Sequence, residues 1–546
     1  MTDALEQIRT RGRATPQAEQ AEPDQVRNDA GGWSFTAPGE TRIRRFLTIG
    51  TTGGTYYATE RELTAENAEI VLDWAKNRPQ DLVRIAAEIS AAGRAPRNQP
   101  AILAIMAAMA LGDIEGRRAA ERAFTDVIRT GTHLFTAAKY REQFGGWGRI
   151  ARRTFASWYL GKDPEALAYQ LVKYRQRDGW THRDVLRSAH STKGCDAEHA
   201  RLFGWLCGRD TDITAVPQWI TAYETACDIA RSAPAPRLKA DRYAQLIRDY
   251  PGLPWEALPD EALTLPDVWR ALIDAGLPQT ALLRQLPRLT RLGVIAPMSS
   301  HLAAACAQLT DPERLRKGRV HPLQVLIAAK TYAAGRSGRG SGTWVPVPQV
   351  SDALDGAFYA AFGAVEPSGK RTMVNLDISG SMTSSAAGYN LSAREVVAGM
   401  ALVTLATEPA TGVYGFSHRF MPLRLSPGMR LDQAAGYMKR LPYGGTDCAL
   451  PMLHAAQTRT EVDTFQIWSD YETWAGSIHP HQALEAYRQA TGIPAKLQMV
   501  AVAPNAYTLY RSHDPAVIAD DPLSLDVSGF DAAVPRLLAD HARGDL

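Results

Sequence analysis

The spacing of apolar residues divides the chain into a long helical part and a shorter part in which strands and helices alternate. From about Glu62 to about Ala334, apolar residues recur at helical spacing, and short breaks rich in Gly and Pro separate the runs. The segment QPAILAIMAAMAL at 99–111 is apolar on nearly every side, which predicts a helix buried between neighbours. Helices joined by short breaks over this length predict an α-solenoid of helix pairs. No clear repeat period is visible, so an irregular helical bundle remains the alternative.

The second pattern begins after about Val365. Four apolar strands, RTMVNLDIS, TGVYGFSH, TFQIWSD and AKLQMVAVAP, alternate with helical segments, and a helix near 529–542 closes the chain. This alternation predicts an open, mostly parallel, doubly wound α/β sheet, in which ligands bind beyond the carboxyl ends of the strands. The Gly/Ser/Arg-rich residues 335–346 read as an exposed connection, and the polar start of the chain predicts a flexible tail over 1–24.

Composition narrows the class of protein without naming a function. Hydrophobic residues make up 45% and charged residues 22%, which is ordinary for a globular chain, and the net charge of +3 does not indicate nucleic acid. The five cysteines form no CxxC pair, which argues against a disulfide framework or a zinc site. We find no secretion signal and no apolar run long enough to cross a bilayer, and we therefore expect a cytoplasmic protein without membrane contact.

Oxygen-bearing side chains follow the predicted strands. Asp377, Ser379 and Ser381 form a DxSxS motif after the first strand, Thr446 precedes a helix in GGTD, and Asp470 ends a later strand. In a parallel sheet these positions meet at one edge. Two carboxylates and three hydroxyls are hard ligands that select Mg²⁺ most readily, with Mn²⁺ or Ca²⁺ as alternatives. DxSxS alone is a weak signal, since an Asx turn or a helix cap gives the same pattern.

The complete set resembles the metal-ion-dependent adhesion site of von Willebrand A domains. The resemblance implies that Ser379, Ser381 and Thr446 bind the ion directly or through water, while Asp377 and Asp470 supply charge partly through waters. It also implies that the sixth position is left for solvent or for a carboxylate of a partner.

A metal-dependent hydrolase is the competing interpretation of this site. It would need an aspartate nucleophile supported by a lysine or a second metal. Lys370 lies at the opposite end of the strand, whereas Lys439 precedes the threonine loop and could approach. No second acidic cluster, P-loop, GxSxG or HExxH motif is present. We therefore predict binding rather than catalysis.

A locally basic stretch occupies residues 149–193. It carries ten positive and four negative side chains, a net charge of +6 before its histidines. Aromatic residues are interleaved with the charges: Trp147, Phe155, Trp158, Tyr159, Tyr169, Tyr174 and Trp180. Cations for phosphates beside rings for unpaired bases are what RNA binding needs. Charge runs on helices are also commonly solvated faces, and aromatic residues at helical spacing are commonly core, so composition alone leaves both possibilities open.

Longer segments resemble the Ro autoantigen, or TROVE-domain, proteins. The resemblance is carried by LVKYRQRDGWTHRDVLRSAH at 171–190, NDAGG at 28–32, RFLTIG at 45–50, HPL at 321–323, KTYAAG at 330–335 and DYETWAG at 470–476. It implies a ring of HEAT-like helical pairs over 25–365, closed by a von Willebrand A-type domain over 366–546.

The same resemblance implies a function. Members of this family bind small noncoding Y RNAs on the outer surface of the ring and single-stranded ends of misfolded or structured RNAs in its hole. Lys173, Arg177 and His190 match positions that contact RNA, and we add Arg175, His182 and Arg187 from the same stretch as RNA-binding residues.

We therefore predict an RNA-binding protein that is not an enzyme. It would act in RNA quality control, decay or ribosomal RNA maturation as a scaffold with an exoribonuclease. The alternative is a metal-dependent protein–protein adhesion or assembly module.

Overall fold

The structure is a computed structural model of the 546-residue chain. It describes residues 14–50, 60–95, 97–190, 195–209, 216–232, 235–337, 341–363, 365–384, 391–503, 505–510, 523–531 and 533–545. None of the helices in these ranges combines the length and the apolar character that a bilayer crossing requires. All five cysteines lie in these ranges as free thiols.

The helical part consists of short helices that pack on their neighbours in chain order. Its helices are α1 (Gly39–Ile49), α2 (Glu60–Asn77), α3 (Pro79–Ala92), α4 (Gln99–Leu111), α5 (Ile114–Val127), α6 (Gly131–Gln143), α7 (Arg149–Leu160), α8 (Pro164–Lys173), α9 (His182–Ala189), α10 (Ala197–Leu206), α11 (Gln218–Arg231), α12 (Pro236–Asp249), α13 (Pro266–Asp274), α14 (Gln279–Arg291), α15 (Ser300–Leu309), α16 (Pro312–Lys317), α17 (Pro322–Ala333) and α18 (Pro348–Ala360).

The apolar segment predicted at 99–111 forms α4, which packs against α2, α3, α5 and α6 and has most of its residues buried. The two ends of the helical part meet. Arg319 Nη1 donates to Ser90 O at 3.5 Å, and His321 Nε2 lies 3.3 Å from Arg94 O. These contacts join residues more than two hundred positions apart, so the array of helices closes on itself as predicted for a ring.

The second part is an α/β domain. Its strands are β5 (Thr372–Asp377), β6 (Thr411–Phe416), β7 (Phe420–Pro422), β8 (Thr464–Ser469), β9 (Lys496–Ala501) and β11 (Ser524–Ser528), in the order β11-β9-β8-β5-β6-β7. All pairs are parallel except β6 with β7. Its helices are α19 (Ala393–Thr407), α20 (Leu431–Arg440), α21 (Leu450–Thr458), α22 (Pro480–Thr491) and α23 (Val534–Arg543).

Alternating residues of the central strand enter two different cores, because successive side chains of a strand point to opposite faces. Val374 and Leu376 of β5 join the large core that continues into the helical part. Met373 joins a second core formed with α21 and α22. Helices therefore cover both faces of the sheet, which confirms the doubly wound α/β prediction.

The start of the chain differs from the tail predicted over 1–24. Residues 1–13 lie outside the described residues, but residues 14–24 pack against the α/β domain, and Gln17 is fully buried there. Strands β1 (Gln25–Arg27) and β2 (Trp33–Thr36) then form a small sheet with β10 (Tyr507–Thr508). The prediction of a loose segment is thus wrong for residues 14–24, because the Gln17 side chain and the backbone of Thr15 and Gln17 form hydrogen bonds with residues far away in the chain.

Charged side chains also join the two parts. The guanidinium of Arg45 on α1 is buried and pairs with Asp526 of β11 at 2.7 Å. Lys330 of α17 lies 2.7 Å from Glu395 of α19. The α/β domain is therefore fastened to both ends of the helical array.

Candidate functional site

The predicted oxygen cluster lies at the carboxyl edge of the sheet. Asp377 ends β5, Asp470 follows β8 directly, and the strand order reverses direction around β5, as at the ligand-binding edge of other doubly wound sheets. Ser379, Ser381 and Thr446 lie in the loops beside them, and all five side chains are buried.

Hydrogen bonds orient the DxSxS loop. Asp377 Oδ1 accepts from the Ser379 amide at 2.7 Å, and its Oδ2 accepts from the Ser469 hydroxyl at 2.5 Å. The hydroxyls of Ser379 and Ser381 lie 2.9 Å apart. The loop thus forms the Asx turn that was the alternative explanation of the DxSxS motif. The same turn brings the two serine hydroxyls together beside the carboxylates.

Burial makes the negatively charged forms of the two carboxylates unfavourable. Burial raises the pKa of Asp377 to about 7, and the neighbouring Asp470 carboxylate adds to the shift. Burial also raises the pKa of Asp470, opposed by its interaction with the Ser381 hydroxyl. A cation between these groups would remove the cost of their negative charge.

Thr446 completes the cluster with a free acceptor. Its Oγ1 is buried and has no hydrogen-bond partner within the described part of the chain. The two glycines before it allow close packing: a side chain at Gly444 would collide with His418, and one at Gly445 would approach Trp474 to 2.8 Å. The GGT sequence therefore places an unpaired hydroxyl in a tightly walled loop.

Sequence reasoning missed several residues that support this cluster. Arg394 at the start of α19 is buried, interacts with Asp377, and donates to the carbonyls of Ile378 and Ser379. Burial raises the pKa of Glu472, two residues after Asp470, to about 9. The basic group shown to interact with Asp377 is thus an arginine, and not one of the two lysines considered from the sequence.

Backbone strain marks the second aspartate loop. Tyr471 has a φ of 61°, the left-handed region that a bulky residue rarely adopts, and its amide donates to Ser469 Oγ at 2.9 Å.

Gln17 holds the neighbouring turns: its Nε2 donates to Asp447 Oδ1 and to Ile478 O, each at 2.8 Å. No local pattern around Gln17 indicates this role.

The predicted RNA-binding stretch forms α7, α8, a small hairpin and α9. The hairpin strands β3 (Gln176–Arg177) and β4 (Trp180–Thr181) are joined by Asp178 and Gly179, both with positive φ, as in a tight two-residue hairpin turn. Thr181 then caps α9 in a capping box with Asp184. This local structure places Arg177 on an exposed turn between two helices.

The basic side chains here differ in exposure. Arg175, Arg177, Arg187 and His190 are exposed, and Lys173 is half-buried. Lys173 Nζ lies 5.2 Å from the centroid of the Tyr169 ring and 5.4 Å from that of Tyr174. The structure thus presents five of the six predicted RNA-binding side chains to solvent on one continuous segment.

His182 is the exception, and its prediction as an RNA contact is wrong. Its side chain is 1% exposed, shares a hydrogen bond of 2.9 Å with the Tyr159 hydroxyl, and packs against the rings of Phe135 and Trp158. Burial lowers its pKa to about 3, so the ring is neutral at physiological pH. It begins α9 on the inner face of the helix, where it is part of the core.

The interleaved aromatic residues also divide into two groups. Phe155, Trp158 and Tyr159 are fully buried, so the core interpretation holds for them. The remaining rings are half-buried at the surface: Trp147, Tyr169, Tyr174 and Trp180. Only this second group can meet a ligand.

Comparison with known proteins assigns both parts of the chain. The TROVE domain model matches residues 26–222 and 251–331, and the Ro60 vWA domain model matches residues 371–542. The chain is 38% identical to RNA-binding protein RO60 of Deinococcus radiodurans over 97% of this chain and 98% of that one. It is 31% identical to RNA-binding protein RO60 of Caenorhabditis elegans, over 98% and 92% of the two chains.

A solved structure agrees with this assignment. The crystal structure of the Deinococcus radiodurans RO (RSR) protein is similar, with a TM-score of 0.68 and 36% identity over 93% of this chain and all of that one. The protein described here therefore belongs to the Ro60 family and combines a TROVE domain with a vWA domain.

Proposed function

We propose that this protein binds structured small RNAs of the Y RNA type through the exposed surface formed by the end of α8, the β3–β4 hairpin and α9, here called the basic surface. The observation that carries the proposal is the exposure of Arg175, Arg177, Arg187 and His190, together with the half-buried Lys173, on this one segment. Exposed cations of this kind bind phosphates, and the two full-length relatives are named RNA-binding proteins.

The oxygen cluster is proposed to hold one divalent cation, Mg²⁺ most readily and Mn²⁺ or Ca²⁺ as alternatives. The unpaired hydroxyl of Thr446, the adjacent serine hydroxyls and the raised pKa of Asp377 fit a cation at this position. Ser379, Ser381 and Thr446 would bind it directly or through water, while Asp377 and Asp470 supply charge. The ion would contribute a positive centre that accepts a further oxygen ligand.

The proposed activity is binding without catalysis. Arg394, the basic side chain that interacts with Asp377, is occupied with the carbonyls of the DxSxS loop, which suits orientation of the loop rather than proton transfer. We propose a cytoplasmic role in RNA quality control, decay or ribosomal RNA maturation. In it, single-stranded RNA ends enter the ring and an exoribonuclease acts as the partner.

A metal-dependent adhesion module is the second candidate, and one observation favours it. Tyr443 and Trp474 are 65% and 40% exposed beside the oxygen cluster, and Tyr443 lies next to Gly380 of the DxSxS loop. Exposed aromatic residues are typical of protein interfaces. Recovery of a protein partner only in the presence of Mg²⁺ would support this function.

The test of RNA binding is a triple substitution, Lys173→Ala, Arg177→Ala and His190→Asn, in which Asn suits the left-handed backbone of residue 190. We expect affinity for a structured small RNA to fall by about 100-fold, because three solvent-exposed charge contacts of up to about 1 kcal/mol each sum to about 3 kcal/mol. The slope of log affinity against log salt should fall by about one for each lost phosphate contact.

A second triple substitution controls for the general loss of positive charge. Lys76, Arg84 and Arg118 are exposed on other helices of the same part, and their replacement by Ala should leave RNA affinity and salt slope nearly unchanged. Equal effects of the two triple variants, or no effect of the first, would overturn the assignment of the basic surface.

A further inference from the structure

The two ends of the helical array meet at a small group of polar side chains that we call the seam. It consists of Ser90 near the end of α3, Arg129 in the link between α5 and α6, and Arg319 in the link between α16 and α17. The Ser90 hydroxyl accepts from Arg129 Nη1 at 2.9 Å, and the Ser90 carbonyl accepts from Arg319 Nη1 at 3.5 Å. One serine therefore holds two guanidinium groups together where the array closes.

The two positive charges of the seam are not neutralised by the residues around them. Within the described ranges, neither Arg129 nor Arg319 has a carboxylate at ion-pair distance. The Asp126 carboxylate attracts Arg129, but it is exposed, and water screens its charge. A neighbouring arginine shows the contrast, because Arg94 pairs at 3.1 Å with the buried carboxylate of Asp531.

The closeness of the two guanidinium groups has an electrostatic effect. Burial lowers the pKa of Arg129, and the positive charge of Arg319 lowers it further, as expected when like charges are held together. An anion placed between the two groups would remove this repulsion.

Both guanidinium groups also keep hydrogen-bond donors for a ligand. Arg129 Nη1 donates to Ser90 Oγ and to the Asp126 carbonyl, and Arg319 donates to the Ser90 carbonyl. A guanidinium carries five N–H donors in a planar fork, so most donors of each group remain after these bonds with described residues. Arg129 is half-buried and Arg319 is exposed, so an ion can reach both from solvent.

The backbone at Arg319 is strained. Its φ of 46° lies in the left-handed region that Gly, Asn and Asp adopt far more readily than arginine does. The residue before it, Gly318, has an ordinary helical φ of −74°. The chain thus carries a long cationic side chain at the strained position, and this side chain is the one that reaches Ser90. Strain of this kind is commonly retained where a residue has a function.

We propose that the seam binds one tetrahedral oxyanion, inorganic phosphate or an ion of the same shape, between the guanidinium groups of Arg129 and Arg319. The oxygens of the ion would accept from both planar forks, the geometry in which arginine binds phosphate. Arg129 belongs to the early helices of the array and Arg319 to its last helices, so the bound ion would hold the two ends together. The proposal does not depend on RNA binding by the basic surface.

The charge of the seam favours a free ion over the backbone of a nucleic acid. A phosphate with free terminal oxygens carries up to about two negative charges at neutral pH, which balances two guanidinium groups. A phosphodiester carries one negative charge and would leave one of the arginines uncompensated.

The first experiment titrates the full-length protein calorimetrically with inorganic phosphate in a chloride buffer. Arg319→Asn removes the guanidinium and suits the left-handed backbone, and it should weaken phosphate binding by about tenfold or more, as expected for the loss of a charge-assisted hydrogen bond. Arg118→Asn makes the same change at an exposed arginine of α5 and should bind phosphate as wild type does. Arg129→Gln tests the other cation and should also weaken binding.

The second experiment asks whether the ion joins the ends of the array. Hydrogen exchange of the amides of residues 89–94 and 319–323 should slow by about tenfold at a phosphate concentration ten times the Kd, because opening of the seam must release the ion. Amides of α22 in the α/β domain should exchange at an unchanged rate. Arg319→Asp, which differs from Arg319→Asn by a negative charge beside Arg129, should slow exchange at the seam without phosphate.

Three results would overturn the proposal. The first is equal phosphate affinity in wild type, Arg319→Asn and Arg129→Gln. The second is phosphate binding that leaves exchange at the seam unchanged. The third is slower exchange at the seam with a short oligouridylate but not with inorganic phosphate, which would make RNA the ligand instead.

Discussion

The basic surface and the oxygen cluster keep their charges in opposite environments. The arginines of the basic surface lie in water, whereas Asp377 and Asp470 are buried with little to neutralise them. Exposed charges cost the fold little and attract a ligand through long-range forces that salt weakens. Buried carboxylates destabilise the fold unless a cation neutralises them, so a cation bound there would be coupled to stability. Binding of a ligand is therefore expected to change the folding stability at the oxygen cluster, and its affinity is expected to depend on salt at the basic surface.

The largest expected effect tests whether the two sites are separate. Asp377→Ala or Ser379→Ala should abolish Mg²⁺ binding at the oxygen cluster and leave RNA affinity unchanged, because arginine and lysine need no bridging cation to bind phosphate. Calorimetric titration with Mg²⁺ and RNA titration with and without chelator provide the measurements. A large loss of RNA affinity in either folded variant would show that the sites are coupled.

The next effect concerns pH and the metal-free fold. The pKa of Asp377 is raised from 3.8 to about 7 in the folded state, so its stabilising contribution is complete below pH 3.8 and is lost as pH rises to about 7. The unfolding free energy of metal-free wild type should therefore fall relative to Asp377→Asn by up to about 4 kcal/mol across this range. Denaturant titrations at several pH values measure the difference. Saturating Mg²⁺ should reverse the fall in unfolding free energy in wild type only. If the difference between wild type and Asp377→Asn did not depend on pH, the raised pKa of Asp377 would be contradicted.

A smaller effect separates the two histidines of the basic stretch. His182→Ala should lower the unfolding free energy by about 3 kcal/mol, since it removes a packed ring and leaves the Tyr159 hydroxyl only its long hydrogen bond of 3.4 Å to the backbone carbonyl of residue 182. The salt slope of RNA binding should not change. His190→Asn keeps a residue that tolerates the left-handed backbone at that position. It should leave the unfolding free energy nearly unchanged and lower the salt slope of RNA binding. A loss of RNA affinity in His182→Ala that remains folded would show instead that His182 contacts RNA.

The smallest effect tests the support of the oxygen cluster by the start of the chain. Gln17→Ala should cost about 2 kcal/mol of stability, because it removes the buried hydrogen bonds of Gln17 with Asp447, Thr473 and the Ile478 carbonyl, and it should weaken Mg²⁺ binding. Thermal unfolding and Mg²⁺ titration measure both. Gln20→Ala, an exposed glutamine nearby, is the control and should resemble wild type.

The sequence predicted the oxygen cluster well because its information is local. The spacing of DxSxS fixes an Asx turn, and strand ends in a parallel sheet converge without further detail, so Asp377, Thr446 and Asp470 could be placed together. The helix Leu431–Arg440 and the edge strand Phe420–Pro422 were not predicted, since neither has a strong apolar run of its own.

The errors came from residues whose role depends on distant partners. Gln17 lies in a polar segment typical of a tail, and only the folded loops around Asp447 and Ile478 make it a buried residue. His182 was counted with the cations of its segment, although its ring faces Phe135, 47 positions earlier in the chain. Composition and spacing record neither contact, because each is formed by the tertiary fold.

The position of Gln17 has a consequence for the order of biosynthesis. Its side-chain partners Asp447 and Ile478 are 430 and 461 residues later in the chain. At about 5–20 residues per second, a ribosome needs about 20–90 s to reach them. The helical array with the basic surface is therefore synthesised before these partners, and until they follow, the loops around the oxygen cluster cannot pack against Gln17. A nascent chain would therefore expose the basic surface before the oxygen cluster is complete.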